Sequence, residues 1–212
     1  MSEHGSLAHH FEDLEQQRQS ADLGMWLFLI TEIMFFGGVF AAYAVCRWMN
    51  PAGFSAGTQH LDVTLGTINT AVLIGSSLTM VWAVQAGHEG DAKGISRNLM
   101  LTILLGGVFL VIKGFEYRHK FHDGLVPGPL FHFEGEHVAG IELFMCFYFI
   151  MTGLHAFHMI IGIGLLMWLI VLARRGRFTK EYSNPVEGVG LYWHFVDIVW
   201  IFLFPMLYLL EH

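Results

Sequence analysis

Charge is what this sequence has least of. Only 14% of its 212 residues are Asp, Glu, Lys or Arg, against roughly 25% in ordinary soluble domains. With 54% hydrophobic residues and a mean hydropathy of +0.52, a soluble domain with a large core is excluded, and an integral membrane protein is implied. Positive charge is scarcer still. Lys and Arg number 11 against 18 Asp and Glu, a formal net charge of −7. Nucleic-acid binding, which needs a basic face, is therefore not expected. Cysteine is limited to Cys46 and Cys146, which lie far apart in apolar segments. That excludes a disulfide framework or a CxxC metal pattern and leaves two small hydrophobes. A basic amino-terminal stretch is missing too. Residues 1–23 are polar and acidic, and the first apolar segment is too long for a signal core, so it is expected to stay as an anchor. No nucleophilic triad, Walker loop or Rossmann fingerprint occurs, and no internal repeat is visible, which weakens an inverted-repeat transporter.

What the chain does have is length of apolar run. Five runs stand out, near Leu23–Val45, Val63–Ala86, Leu99–Phe115, Val138–Ala173 and Val189–Leu210. Each can cross a hydrocarbon core of about 30 Å at about 1.5 Å per residue. The third is short and is expected to extend through Tyr117. The fourth is long enough to tilt or protrude. The fold class is all-α, a polytopic membrane bundle of five transmembrane helices. Residues 1–21 form a polar tail, with a short surface helix expected over Glu12–Gln19, and residues 22–212 form one transmembrane domain. Pro51, Pro127, Pro129 and Pro185 fall between runs. Pro205 falls inside the last and is expected to kink it, freeing the carbonyl of Ile201.

The few basic residues set an orientation. The tail and the loops at 87–98 and 173–188 hold Arg18, Lys93, Arg97, Arg174, Arg175, Arg177 and Lys180. The opposite side holds Arg47, Arg118 and Lys120. The positive-inside rule then puts the amino terminus in the cytoplasm and the carboxyl terminus outside. Small residues crowd the runs: Gly37-Gly38, Gly66, Gly75-Ser76-Ser77, Gly106-Gly107, Gly162 and Gly164. In lipid such residues let backbones approach closely. Gly66, Asn69, Thr70, Ser76 and Ser77 fall near one face of the second run, as a packing seam would.

Ionisable groups inside these runs are costly and seldom idle. Glu32 lies mid-way along the first. A lone carboxylate there is expected to be neutral or hydrogen-bonded, because desolvation disfavours its charge; it is either a proton-handling or partner-contacting group, or a plain helix anchor. His155 and His158 share a face of the fourth run, as His194 and Asp197 do on the fifth, at spacing i, i+3. A hydrogen bond from His155 or His158 to Asp197 or His194 is expected to bridge the last two helices. Two His and an acid are also a conceivable metal or haem ligand set, but a structural hydrogen-bond network uses the same residues. No metal site is expected. Lys113 and Glu116, again i, i+3, suit an ion pair or snorkelling to the interface, and Glu142 enters the fourth helix near the same surface. His119, His122, His132 and His137 enrich the outer loop, and His4, His9 and His10 the tail, without matching a strong metal motif.

Several motifs in order carry a resemblance. They are Gly24-Met25-Trp26-Leu27-Phe28-Leu29-Ile30-Thr31-Glu32 with Phe35-Phe36; Asn69-Thr70 before Ser76-Ser77; Glu116-Tyr117; Thr152-Gly153-Leu154-His155 with His158; and Tyr192-Trp193-His194-Phe195-Val196-Asp197-Ile198-Val199-Trp200 with Phe202-Leu203-Phe204. The set resembles subunit III of the haem–copper cytochrome c oxidases over residues 22–210. The chain begins at what looks like the third helix of that family's seven-helix form, and so is similar to the short bacterial form. In the long form the first two helices flank a lipid-filled cleft, which their absence here puts in doubt.

The resemblance implies the following. Glu32 is the family's membrane-buried carboxylate, and Asn69, Glu116, His155, His158, His194 and Asp197 match its other intramembrane polar positions. The chain has no catalytic residue, haem or copper of its own. Haem and copper belong to partner subunits, and phospholipid is a compatible ligand. The chain packs on oxidase subunit I within a proton-pumping respiratory complex of the bacterial inner membrane. There it supports assembly, sustained turnover and proton uptake. The nearest alternative is the similar accessory protein of nitric oxide reductases; an independent small transporter is the alternative of a different class.

Overall fold

The computed structural model describes residues 14–129, 131–133, 136–178 and 183–210. Six α-helices occur among them: α1 Leu14–Met49, α2 Pro51–Thr58, α3 Val63–Glu89, α4 Ala92–His122, α5 Val138–Arg174 and α6 Asn184–Phe204. A π-helical segment, Pro205–Leu209, continues α6. Five helices are long and apolar enough to cross a membrane: α1, α3, α4, α5 and α6 with its π-helical extension.

The helix ends explain where the structure departs from the apolar runs. The third transmembrane helix extends through Tyr117, as expected, and also begins ahead of its apolar run. Asp91 caps α4 by accepting from the Lys93 amide at 3.0 Å, so the polar turn 92–98 is helical and α4 reaches 31 residues. Gly90, in the left-handed region at φ 74°, closes α3 immediately before it. Asp62 caps α3 by accepting from Thr64 and Leu65 amides at 2.8 and 3.1 Å. Polar residues thus lengthen helices by satisfying the orphan amides of their first turns. α1 likewise begins at Leu14, so the helix expected over Glu12–Gln19 merges from Leu14 with the first transmembrane helix. Residues 12 and 13 lie outside the described residues, as do His4, His9, His10, Lys180 and the Arg18 side chain. The short helix α2 has no hydrophobic period to announce it; Pro51 at its first turn starts it.

Pro205 cannot donate the next backbone hydrogen bond. The α-helix accordingly ends at Phe204 and the chain continues in π register through Leu209. The change of register carries Tyr208, a fully buried side chain, to the neighbourhood of α4 and α5.

α6 is the centre of the bundle. In its most apolar 18-residue window 61% of the residues are buried, against 11% in α1. The Trp193 indole lies between glycines: a Cβ at Gly106 of α4 would come within 2.9 Å of it, and one at Gly162 of α5 within 3.0 Å. Gly66 of α3 lies under Phe204 and Tyr208, and Gly53 of α2 meets Gly140 of α5 backbone to backbone. The small residues of the runs divide accordingly. Gly66, Gly106 and Gly162 admit neighbouring rings, whereas Gly37, Gly38, Gly107 and Gly164 face open space.

Trp193 donates Nε1–H to Ser76 Oγ at 3.1 Å, and Trp200 donates to Thr70 Oγ1 at 3.0 Å. The polar face of α3 is therefore a packing seam against α6, as expected, and its hydroxyls satisfy indoles that would otherwise be unpaired in hydrocarbon. Cys46 and Cys146 are free and half-buried.

Candidate functional site

Intramembrane polar side chains gather in three places. The first lies toward the α2 side of the bundle. Lys113 and Glu116 of α4 are both buried, with Lys113 Nζ 2.9 Å from Glu116 Oε2. Nζ also donates to the hydroxyls of Tyr208 at 2.8 Å and Tyr148 at 3.3 Å. Three ammonium protons thus have three acceptors. Tyr208 in turn donates to Glu116 Oε1 at 2.5 Å, so both carboxylate oxygens are engaged. The ammonium stands 4.9 Å from the Tyr148 ring centre and 5.1 Å from that of Trp200, within cation–π range. Beside it Tyr117 bonds to Thr152, whose own proton goes to the Tyr148 carbonyl at 2.6 Å. Of the two explanations open for Lys113 and Glu116, the structure selects the ion pair over snorkelling.

The second place joins α1 to α5. His158 Nε2 lies 3.2 Å from Glu32 Oε2, and its Nδ1 lies 2.8 Å from the Leu154 carbonyl. A backbone carbonyl only accepts, so Nδ1 carries a proton. Glu32 is therefore not a lone carboxylate. Phe36 closes over the imidazole at 5.2 Å between ring centres, and Tyr192 of α6 donates to the His158 carbonyl at 2.9 Å.

The third place lies between α3 and α6. His194 Nδ1 bonds to Ser77 Oγ at 2.7 Å. Asp197 is 4% exposed, and neither of its carboxyl oxygens has a hydrogen-bond partner among the described residues; Ser77 stands beside it.

This arrangement corrects the expected bridge between the last two helices. No side-chain bond joins His155 or His158 to Asp197 or His194. His158 turns outward to Glu32. His155 is fully buried, and neither ring nitrogen has a hydrogen-bond partner among the described residues; the rings of Phe109 at 5.3 Å and Trp200 at 5.1 Å box it in. The reason is helical phase. The rings of Trp193 and Trp200, seven residues apart, lodge against α4 and α5 and reach α3 only with their indole N–H groups, whereas His194 and Asp197 are turned from them round the helix and meet α3 instead. The α5–α6 link that does exist uses Tyr192 and a backbone carbonyl. Asn69 donates to the Phe109 carbonyl at 3.4 Å, and its own side-chain oxygen has no partner among the described residues.

Sequence reasoning passed over Tyr148, Tyr208 and the link from Ser77 to His194. A tyrosine hydroxyl at membrane depth needs a partner, and that signal was available for both tyrosines. Outside the hydrocarbon, Glu142 accepts from the Gly128 amide at 3.0 Å and so pins the outer loop to α5. Lys120 donates to the His60 carbonyl.

Among the described residues no group of three or more His, Cys, Asp or Glu is placed to hold a metal ion, and His158 has both nitrogens engaged.

Comparison with known proteins adds identity to this geometry. The family model described as cytochrome c oxidase subunit III matches residues 7–212. A "Cytochrome c oxidase subunit 3" of Corynebacterium diphtheriae is 35% identical over 193 residues, covering 89% of this chain and 87% of the relative. One of Thermostichus vulcanus is 35% identical over 189 residues, covering 89% and 86%. One of Loxodonta africana is 30% identical over 200 residues, covering 90% of this chain and 70% of the longer relative. Neither the nitric oxide reductase reading nor the transporter reading is favoured by these matches. The chain belongs to the cytochrome c oxidase subunit III family.

Proposed function

We propose that the chain is a non-catalytic subunit of a proton-pumping oxidase. In this reading it packs against the haem- and copper-bearing subunit I and sustains that subunit's assembly, stability and proton uptake. The observation that carries the reading is the family match over nearly the whole chain. The polar clusters support it. Lys113, Glu116, Tyr148 and Tyr208 tie α4, α5 and the end of α6 into one body, and Glu32 with His158 ties α1 to that body. Oxygen reduction, haem and copper are assigned to partner subunits; this chain supplies shape and placed polar groups, with phospholipid as a compatible ligand. In this reading the complex sits in the bacterial inner membrane, and the distribution of Lys and Arg supports a cytoplasmic tail over residues 1–21 with the carboxyl terminus outside.

Purification of the native complex tests the central claim. This chain should travel in fixed ratio with a complex showing haem absorption, and the chain purified alone should show none. A stoichiometric haem spectrum from the isolated chain would overturn the assignment. A cysteine placed at Ser183 should be labelled from the cytoplasm; labelling from outside reverses the orientation. Glu32→Gln keeps a hydrogen-bonding shape but cannot ionise. A proton-related role for Glu32 predicts normal haem content with a lower pumping ratio or faster inactivation during turnover. Unchanged pumping and lifetime leave Glu32 as a helix anchor.

A further inference from the structure

We propose that the groove between α3 and α6 seats a transmembrane helix of another subunit, which presents a hydroxyl or carboxamide side chain to His194. The inference rests on the reading of this chain as an oxidase subunit. It starts from an imbalance. Most polar side chains in the α3–α6 seam are spoken for: Ser76 and Thr70 accept from the two indoles. Asp197 and His194 are the exceptions. Asp197 is buried, and neither oxygen meets a hydrogen-bond partner with good geometry among the described residues; the Ser77 hydroxyl beside it is engaged by His194. His194 is half-buried, engaged at Nδ1 by Ser77, and its Nε2 has no partner among the described residues. An imidazole held at one nitrogen presents the other as donor or acceptor according to its tautomer. A hydroxyl or carboxamide serves both states, because each can donate and accept.

The surroundings provide room for such a partner. A cleft of about 380 Å³ is lined by Thr70, Ser77, His194 and Asp197 between apolar walls. A second, of about 340 Å³, continues from His194 past Val81 and Gln85 toward Glu187. The walls present Ile74, Val81, Ile198 and Ile201 at 48–57% exposure, the profile of side chains that pack on a neighbouring helix or lie against acyl chains.

Depth separates these two occupants. His194 lies ten residues into α6 and Asp197 thirteen, about 15 and 20 Å along the axis at 1.5 Å per residue. The hydrocarbon core is about 30 Å thick, so both sit near its middle. Lipid tails carry no hydrogen-bonding group, and headgroups do not reach that depth. A polar pair left open there is satisfied by protein, and interhelical hydrogen bonds of this kind are a known adhesive between membrane helices.

The test uses the intact complex. A photoreactive benzoylphenylalanine in place of Ile198, activated in the purified haem-bearing complex, should give an adduct with another oxidase subunit. His194→Phe keeps an aromatic ring and removes both nitrogens. It should lower retention of this chain through detergent purification by roughly fivefold, and His194→Gln should restore most of it. Adducts with lipid alone, or equal retention of the Phe and Gln variants, overturn the docking surface. If the chain copurifies with haem while Ile198 gives no protein adduct, only this inference fails. If it never copurifies, the oxidase reading fails first.

Discussion

The Lys113 cluster and the Asp197 cluster are built from similar parts and finished differently. Each buries an acid in a transmembrane helix, and each has a basic residue three positions away on the same helix. In the first, three ammonium protons meet three acceptors and both carboxylate oxygens are bonded. In the second, the acid has no hydrogen-bond partner among the described residues and the imidazole is bonded at one nitrogen. A closed network works for the fold, because any member removed leaves the others unsatisfied in a medium without water. An open one contributes little to the chain by itself and becomes useful when something completes it. On the docking proposed for the α3–α6 groove, the difference separates residues that hold this subunit together from residues left for a partner to complete.

The largest expected effect follows from breaking the closed cluster. Lys113→Met leaves Glu116 buried without its counter-charge and should destabilise the chain by about 3–5 kcal/mol, read as a shifted unfolding midpoint in mild detergent. Changing both members, Lys113→Met with Glu116→Gln, should cost less than Lys113→Met alone, since no unpaired charge then remains. If the double variant is the weaker of the two, the cluster is not governed by charge pairing. Next in size, Tyr208→Phe removes one hydroxyl that both accepts from Lys113 and donates to Glu116. The expected loss is about 1–3 kcal/mol, measured in the same way.

The five-helix architecture could be read in the sequence because bilayer thickness dictates it: apolar runs of the required length have few other uses. The lengths of those helices were less legible. Asp62, Gly90 and Asp91 extend or close helices through backbone hydrogen bonds that hydropathy does not register. The candidate residues were legible as buried polar positions, since charge at such depth is rare. Their pairing was not. Spacing places His194 and Asp197 on one face, and that inference holds; which neighbouring helix the face meets depends on the rotation of α6, fixed by Trp193 lodging between Gly106 and Gly162. Glu32 and His158 lie 126 positions apart, so their bond is a product of packing alone.

The α1 tether is of intermediate size. Glu32→Ala removes the side-chain partner of His158 but leaves the Leu154 bond and the Tyr192 contact in place. Interhelical bonds of this type contribute about 0.6–2 kcal/mol. With only 11% of its most apolar window buried, α1 has little packing to compensate. Its detachment, followed as faster proteolysis of the α1–α2 connection, should precede global unfolding. Cleavage no faster than in the parent chain would show that the ring contacts of Phe36 and the bonds from Tyr43 and Arg47 to the Met206 and Leu210 carbonyls hold α1 without Glu32.

The smallest effect is expected at Asp197, and it is the sharpest test of the comparison. Asp197→Asn is nearly isosteric and replaces one carboxyl oxygen by a donor. If the acid has no partner within the chain, there is no bond to lose and one buried polar group replaces another, so the midpoint of the isolated chain should move by less than about 1 kcal/mol, the scale of a single hydrogen bond. Retention within the oxidase complex should move more, because that is where an open polar group finds its complement. The two readouts therefore diverge for Asp197 and run together for Lys113, whose replacement weakens the chain before assembly begins. A stability loss at Asp197 comparable to that of Lys113→Met would mean that the carboxyl is already bonded inside the subunit. The α3–α6 cluster would then be as closed as the other, and His194 alone would remain to meet a partner.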